Sequence, residues 1–362
     1  MKTVLIGVGQ AGGKLARALT DFDDRFGFGA VLDTVAVNSA KADLHPLDCE
    51  TVLVGADRVG GHGVGGDNEL GAEVMDADVG EVMGALDGSV TARAEAIVVV
   101  AGLGGGTGSG GAPVLVRELQ RIYDLPVYGL GILPGRDEGA LYQVNAGRSL
   151  KTLVREADAT LLVDNDAWHA TGDSVAEAFD AINEAIARRV GLLLASGEAT
   201  DGVAESVVDA SEVINTLRSG GIASLGYASA AVGDDAADNV NAVTSVVRQA
   251  VLTGASLPDV DEADAALVVV AGRPERISRK GVERSRAWVE EHLGCMQVRG
   301  GDFPLDSDRL AGLVLCGGVE RSGRVEEFLE RARRAAEETA EREDEQDDPN
   351  TAFQTDELDS LM

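Results

Sequence analysis

The residues best suited to chemistry in this 362-residue chain form a glycine cluster, Gly104-Gly105-Gly106-Thr107-Gly108-Ser109-Gly110, between an apolar run at 97–100 and a helix-forming stretch from 113. Glycine has no Cβ, so successive backbone N–H groups can converge on one anion, and a helix that starts there adds its positive end. That chemistry is phosphate binding. A flexible linker would lie between polar segments, not between a buried strand and a helix start. A second cluster, Gly7-Val8-Gly9-Gln10-Ala11-Gly12, follows the first apolar run and fits the G-x-G-x-x-G pattern. Alone it also suits a nicotinamide-dependent oxidoreductase, which would want an acid closing the second strand to grip a ribose. That strand ends Val37-Asn38-Ser39, with no acid before Asp43. A Walker loop fails, because Leu15 follows Lys14 and Val8 stands where its first glycine belongs. A third run, Gly60-Gly61-His62-Gly63-Val64-Gly65-Gly66, lies between them, with His62 read as a surface residue. Further on, Asp209 and Glu212 are spaced to share one face of a helix start, where anions are favoured. The plainer reading of that pair is a capping acid with a solvated neighbour.

These loops need a scaffold. Apolar runs at 4–6, 35–37, 51–54, 97–100, 127–133 and 160–163 are continuous rather than alternating, as in strands buried on both faces. They alternate with helical stretches, which predicts an N-terminal doubly wound α/β domain with a parallel sheet and ligands at the strands' carboxyl ends. Ser174 and Glu177 read as a capping box that opens a long helix. Val175, Phe179, Ile182, Ile186, Val190 and Leu193 then recur at helical spacing, predicting a buried central spine that leaves through Gly197 and Gly202. A smaller C-terminal α/β domain follows, with strands near 222–231, 265–271, 295–299 and 312–315 and helices near 236–252 and 280–292. From Arg324 the chain reads as an exposed, charge-laced helix with Glu327/Arg331, Glu330/Arg334 and Glu338/Arg342 pairs. A disordered acidic tail is expected from Glu343, with Phe353 and 358–362 read as a solvated end and a short partner-docking peptide as the alternative. The units expected are 1–172, 173–197, 198–323 and 324–362.

Composition narrows the setting. The formal charge is −31, and residues 337–362 carry eleven acids against Arg342, so most of the excess lies along the body. Lysine is scarce, at five residues against 26 arginines. Such a surface repels nucleic acid and anionic lipid and needs the roughly 3 Å screening of molar salt, which suggests a halophile. Cys49, Cys295 and Cys316 form neither a disulfide framework nor zinc spacing. A strand at the very start leaves no room for a signal peptide, and no apolar run approaches a membrane span, so a cytoplasmic protein without membrane insertion is expected.

The glycine run 104–110 resembles the signature of the tubulin/FtsZ superfamily of GTP-dependent filament formers, and the chain is most similar to the CetZ proteins of halophilic archaea. The resemblance implies GTP or GDP with Mg²⁺ as ligand. Gly9, Gln10, Ala11, Gly12, Gly13 and Lys14 resemble the family's first nucleotide loop, and Asn38 its second-strand asparagine. Gly65 falls where the family senses the γ-phosphate. Glu138 with Gly139 resembles the pair that contacts the ribose, although Tyr142 replaces the usual arginine beside it. Asn165 and Asn183 match guanine-contacting positions, and an amide can serve both donor and acceptor edges of that base. Asp209 and Glu212 match the acids that enter the next subunit's pocket and position the attacking water. Val207 replaces an asparagine found there in FtsZ, so slow hydrolysis is expected. The implied partner is the chain itself in a head-to-tail filament, with other tubulin-like proteins or a tail-binding adaptor as further candidates. The CetZ likeness suggests control of cell shape. A regulator that binds nucleotide without hydrolysing it is the remaining alternative.

Overall fold

The computed structural model describes residues 1–168, 175–198 and 208–347. In chain order the strands are β1 (Thr3–Val8), β2 (Val31–Asn38), β3 (Glu50–Leu53), β4 (Ala96–Gly102), β5 (Val127–Leu133), β6 (Ala159–Asp164), β7 (Ile222–Ala231), β8 (Val260–Gly272), β9 (Gln297–Pro304) and β10 (Arg309–Ser322). The helices are α1 (Gly9–Phe26), α2 (Lys41–Leu44), α3 (Ala56–Val59), α4 (Asn68–Ala85), α5 (Gly106–Ile122), α6 (Ala140–Glu156), α7 (Val175–Ser196), α8 (Ala210–Leu217), α9 (Val240–Leu252), α10 (Arg279–Leu293) and α11 (Gly323–Asp347).

All residues of β1 and β5 are buried, as their unbroken apolar composition requires between two helical layers. The first six strands run parallel in the order β3-β2-β1-β4-β5-β6. That order reverses direction between β1 and β4, and ligands of doubly wound sheets sit in the crevice at such a point. The sheet does not stop there. Thr160 and Leu161 of β6 pair in parallel with Ile222 and Ala223 of β7, after which β10, β8 and β9 extend one mixed sheet.

Ile182, Ile186, Val190 and Leu193 of α7 are buried in one cluster with Leu15 and Leu19 of α1 and Leu267 and Leu313 of the distal strands. Gly191 lets the two helices meet, since a Cβ there would fall 2.4 Å from the Phe22 ring. The spine expectation holds for these four, but Phe179 is 44% exposed. The side chain of Val175 and the Ser174–Glu177 capping box lie outside the described residues, as do Gly202 and Val207.

Several boundaries differ from expectation: α5 starts at Gly106 inside the glycine run, α9 starts at Val240, β8 starts at Val260, and β10 runs from Arg309 to Ser322. The strand expected at 295–299 starts at Gln297 and runs on to Pro304, because Gly300 and Gly301 pair in register with Val268 and Val269 instead of turning. A Cβ at Gly300 would meet the Val268 carbonyl at 2.8 Å, so glycine serves close strand approach there. The α11 helix is not a solvated rod: Phe328, Ala332 and Ala335 are buried and the helix packs on α6. It keeps the expected Glu327–Arg331 and Glu330–Arg334 pairs at 3.6 and 3.5 Å, the second on its outer face. The helix continues past Glu343 to Asp347; the Arg342 side chain and residues 348–362, including Phe353, lie outside the described set. Among the described residues no helix is long and apolar enough to cross a membrane.

Candidate functional site

A cleft of about 570 Å³ opens at the carboxyl ends of β1, β2, β4, β5 and β6. The helices α1 and α5 both start at this point, directly after β1 and just past β4. Gly9 has φ +74°, and a Cβ on it would lie 2.9 Å from the Gly108 backbone nitrogen. A Cβ on Gly108 would in turn lie 2.6 Å from the Gly102 carbonyl. The two glycine loops therefore touch backbone to backbone and aim two helix N-termini at one space. Gly9, Gln10, Ala11, Lys14, Asn38, Gly65, Gly104, Gly105, Gly106, Thr107 and Gly108 line that end. Lys14 is the one lysine or arginine among the described lining residues. Glu138, Tyr142, Asn165 and Asn183 line the rest of the cleft, together with Phe179 and Asp180.

Four expected residues stand outside the cleft wall, because one turn into each helix the backbone packs against neighbouring elements instead of facing the cleft. Gly12 sits where α1 crosses β4, with the Val100 carbonyl 2.2 Å from a would-be Cβ. Gly13 packs against Leu47, and Gly110 lets α4 lie on α5, its Cβ position being 1.9 Å from the Asn68 carbonyl. Ser109 is buried and donates its hydroxyl to the Gly105 and Gly106 carbonyls of its own helix. His62, read from sequence as a surface residue, is exposed but lines the cleft.

Hydrogen bonds hold the loops in place. Asn38 accepts from the Ser39 and Ala40 N–H groups and donates to Asp43, which also accepts from Gln10 at 2.9 Å. Ser39 and Thr107 share a hydroxyl contact of 2.6 Å. The buried Asn145 donates to the Gly66 and Gly104 carbonyls at 2.7 and 3.0 Å, tying the 60–66 and 104–110 glycine runs together. Glu138 accepts from the Gly135 N–H at 2.8 Å, which fixes its carboxylate at the loop edge. Sequence reasoning passed over Asp43, Asn145 and the cleft role of Phe179. A polar residue inside the apolar pattern of α6 was the available signal for Asn145.

The acid pair lies elsewhere. Asn183 is in the cleft, whereas the far end of α7 reaches the chain's first residue, where the Met1 ammonium donates to the Leu194 carbonyl. Just beyond, a Cβ on Gly197 would lie 3.0 Å from the Ala210 Cα. At 1.5 Å per residue that separates α8 from the cleft by about 20 Å along the spine. Asp209 caps α8, accepting from the Glu212 N–H at 3.2 Å and from the Ser211 hydroxyl. The Ser211 hydroxyl bond holds the Asp209 carboxyl below its ordinary range, with the Glu212 N–H adding to it against a partial burial cost. Burial, then the Asp209 charge, push Glu212 up, against Arg299 and Arg286. On acidification Glu212 therefore takes its proton before Asp209. The Asp209 contribution to stability is present above its unfolded pKa and disappears only as pH falls through its lower folded value. A carboxyl-carbon NMR titration is expected to show the Glu212 midpoint above that of free glutamate and the Asp209 midpoint below that of free aspartate; the reverse order would contradict this geometry.

Comparison with known proteins places the whole chain. Residues 2–173 match the GTPase domain of the tubulin/FtsZ family, and residues 172–334 match the C-terminal domain of tubulin-like CetZ. The tubulin-like protein CetZ2 of Haloferax volcanii is 71% identical over 364 residues, covering 100% of both chains. CetZ1 of the same organism is 50% identical, covering 91% of each. Among solved structures, a GTPγS-bound protofilament of H. volcanii CetZ2 superposes with a TM-score of 0.91 over 94% of this chain and 100% of that one. An M. jannaschii FtsZ dimer shares the fold, with a TM-score of 0.70 at 23% identity over 88% of each chain. Similarity of this extent, spanning both the glycine-lined cleft and the distal half of the sheet, shows that the chain belongs to the CetZ family of tubulin-like proteins.

Proposed function

We propose that this protein binds GTP and GDP in the cleft, hydrolyses GTP at contacts between subunits, and assembles head to tail into cytoplasmic filaments that act on cell shape. The observation that carries this reading is the placement of the cleft and the Asp209–Glu212 pair at opposite ends of α7. A contact that brings one subunit's α8 to the next subunit's cleft is heterologous, and without closure it propagates as a filament. The backbone N–H groups of the two loops hold the phosphates, while Asp209 and Glu212 of the neighbour orient the attacking water. The units are read as a nucleotide domain at 1–172, the spine at 173–197, a distal domain at 198–323 and the terminal segment 324–362. Family membership removes the ground for a nicotinamide oxidoreductase.

Among the described residues no group of three or more acids, histidines or cysteines converges as a metal site. That donor set still fits Mg²⁺, which keeps several waters and takes substrate phosphates with one or two carboxylates. Asp43, at the phosphate end beside Gln10, is the carboxylate that would hold it with the phosphate oxygens. Bound there, Mg²⁺ would neutralise charge on the phosphates.

Specific GTP hydrolysis measured against protein concentration, in several-molar KCl with Mg²⁺, tests the reading. Activity is expected to rise above a threshold concentration; activity that is flat per subunit would place a complete site inside one chain, and binding without turnover would leave a regulator. The exposed ring of Phe179, beside Asn183, offers the base a stacking face. Phe179→Ala is expected to weaken GTP binding about tenfold, the usual worth of one base–aromatic contact, as read by equilibrium titration.

A further inference from the structure

The terminal helix reaches the nucleoside end of the cleft from behind. Arg324 at the start of α11 is 4% exposed, and its Nε and Nη2 donate to Asp164 at 2.5 and 3.0 Å. Its Nη2 also donates to Asp166 at 2.5 Å. These two aspartates flank Asn165, the cleft amide that follows β6. One turn on, Glu327 accepts from Arg136 at 2.8 Å, and Arg136 in turn donates its backbone N–H to Asp166 at 3.0 Å. After another turn, Arg331 donates to Gln143 at 3.2 Å, and Gln143 donates to the Gly135 and Glu138 carbonyls at 2.7 and 3.3 Å. Successive turns of one helix thus grip the turn that carries Asn165, the loop that carries Glu138 and the start of α6, which carries Tyr142. None of Arg324, Glu327 and Arg331 lines the cleft.

The pair at the centre of this network is buried on both sides, with Arg324 and Asp164 side chains 4% and 2% exposed. Molar salt screens surface pairs over about 3 Å, but a desolvated fork of this kind keeps its strength. Its cost is met only while both partners stay in register, because removing one strands the other's charge.

We propose that Arg324 is a positioning residue for the nucleoside subsite, and that through it the docking of α11 and the binding of the base favour one another. This rests on the reading above, in which Asn165 and Glu138 face the nucleoside. Coupling of this kind is reciprocal: bound nucleoside holds α11 down by the same factor by which docked α11 tightens binding.

The test uses the full chain in several-molar KCl with Mg²⁺ and two probes, GTP and inorganic tripolyphosphate, with binding read by calorimetry. Arg324→Met is expected to weaken GTP about tenfold while tripolyphosphate stays within about twofold, a selectivity that general loosening would not produce. Arg324→Lys keeps the charge without the fork and is expected to fall between the two. Equal weakening of both probes, or unchanged GTP binding in a folded Arg324→Met protein, overturns the proposal. Should Arg324→Met not fold, Arg331→Met acts from a more exposed position on the neighbouring Glu138 loop, through Gln143, and is expected to show the same selective loss at smaller size; no selective loss there also overturns it. Asn165→Ala separates the two levels. If it leaves GTP binding intact, the subsite reading fails and this inference with it; if it weakens GTP while the arginine variants do not, only the coupling fails.

Discussion

Asp209→Asn and Glu212→Gln are each expected to lower GTP turnover by about a hundredfold or more, the scale on which positioned acid–base groups act, while GTP affinity stays near that of the parent. The amide variants separate chemistry from folding. Asp209 caps α8 through its Oδ1, and loss of that acceptor in Asp209→Ala costs about 1 kcal/mol. Asparagine caps as well as aspartate, so Asp209→Asn keeps the helix start and removes only the charge. Turnover, equilibrium binding and thermal midpoint on the three variants decide the matter. A drop in affinity that parallels the loss of turnover would put the acids in their own subunit's cleft, against the roughly 20 Å of spine between them.

The second large effect concerns Gly105. It caps α5 with φ −74°, lines the cleft, and has nothing within 4 Å of its Cβ position. A side chain there grows into the cleft without moving backbone. Gly105→Trp is expected to fold with an unchanged thermal midpoint and to weaken GTP binding by roughly a hundredfold or more, near 3 kcal/mol. Gly110→Ala is the counterpart, since its Cβ would lie 1.9 Å from the Asn68 carbonyl and must push α4 off α5. That variant is expected to lose thermal stability first. Two glycines of one motif thus fail by different measurements, titration for one and melting for the other. Mixing Gly105→Trp with Asp209→Asn protein adds a sharper check: each supplies what the other lacks, so the mixture is expected to hydrolyse GTP when neither does alone. Silence from a mixture that co-assembles would argue against a shared site.

The first six strands could be read from sequence because each is a short apolar run buried on both faces, and the glycine loops because they follow such runs. The route of the sheet beyond them was less visible. Gly300-Gly301-Asp302 carries turn chemistry yet lies within β9, since pairing with β8 outweighs local preference. Phe179 shares the helical phase of Ile182 and Ile186, but α7 begins beside the cleft and only later enters the core. In α11 the stripe of Phe328, Ala332 and Ala335 was masked by the charges around it. The Asp43 contact with Gln10 joins residues 33 apart in the chain, and no local pattern announces it. Position along a helix relative to the sheet, and contacts across it, are tertiary facts that periodicity does not encode.

The span of α7 also sets a rule of counting. If cleft and acids belong to neighbouring subunits, a row of subunits contains one fewer complete reaction centre than it has members. One terminal chain always shows a bare cleft and the other a bare acid pair, so the two ends are chemically unlike. Hydrolysis per subunit must then climb with length toward a plateau, and the subunit with the uncovered cleft keeps its triphosphate longest. Such a row therefore distinguishes its two ends by the nucleotide each retains.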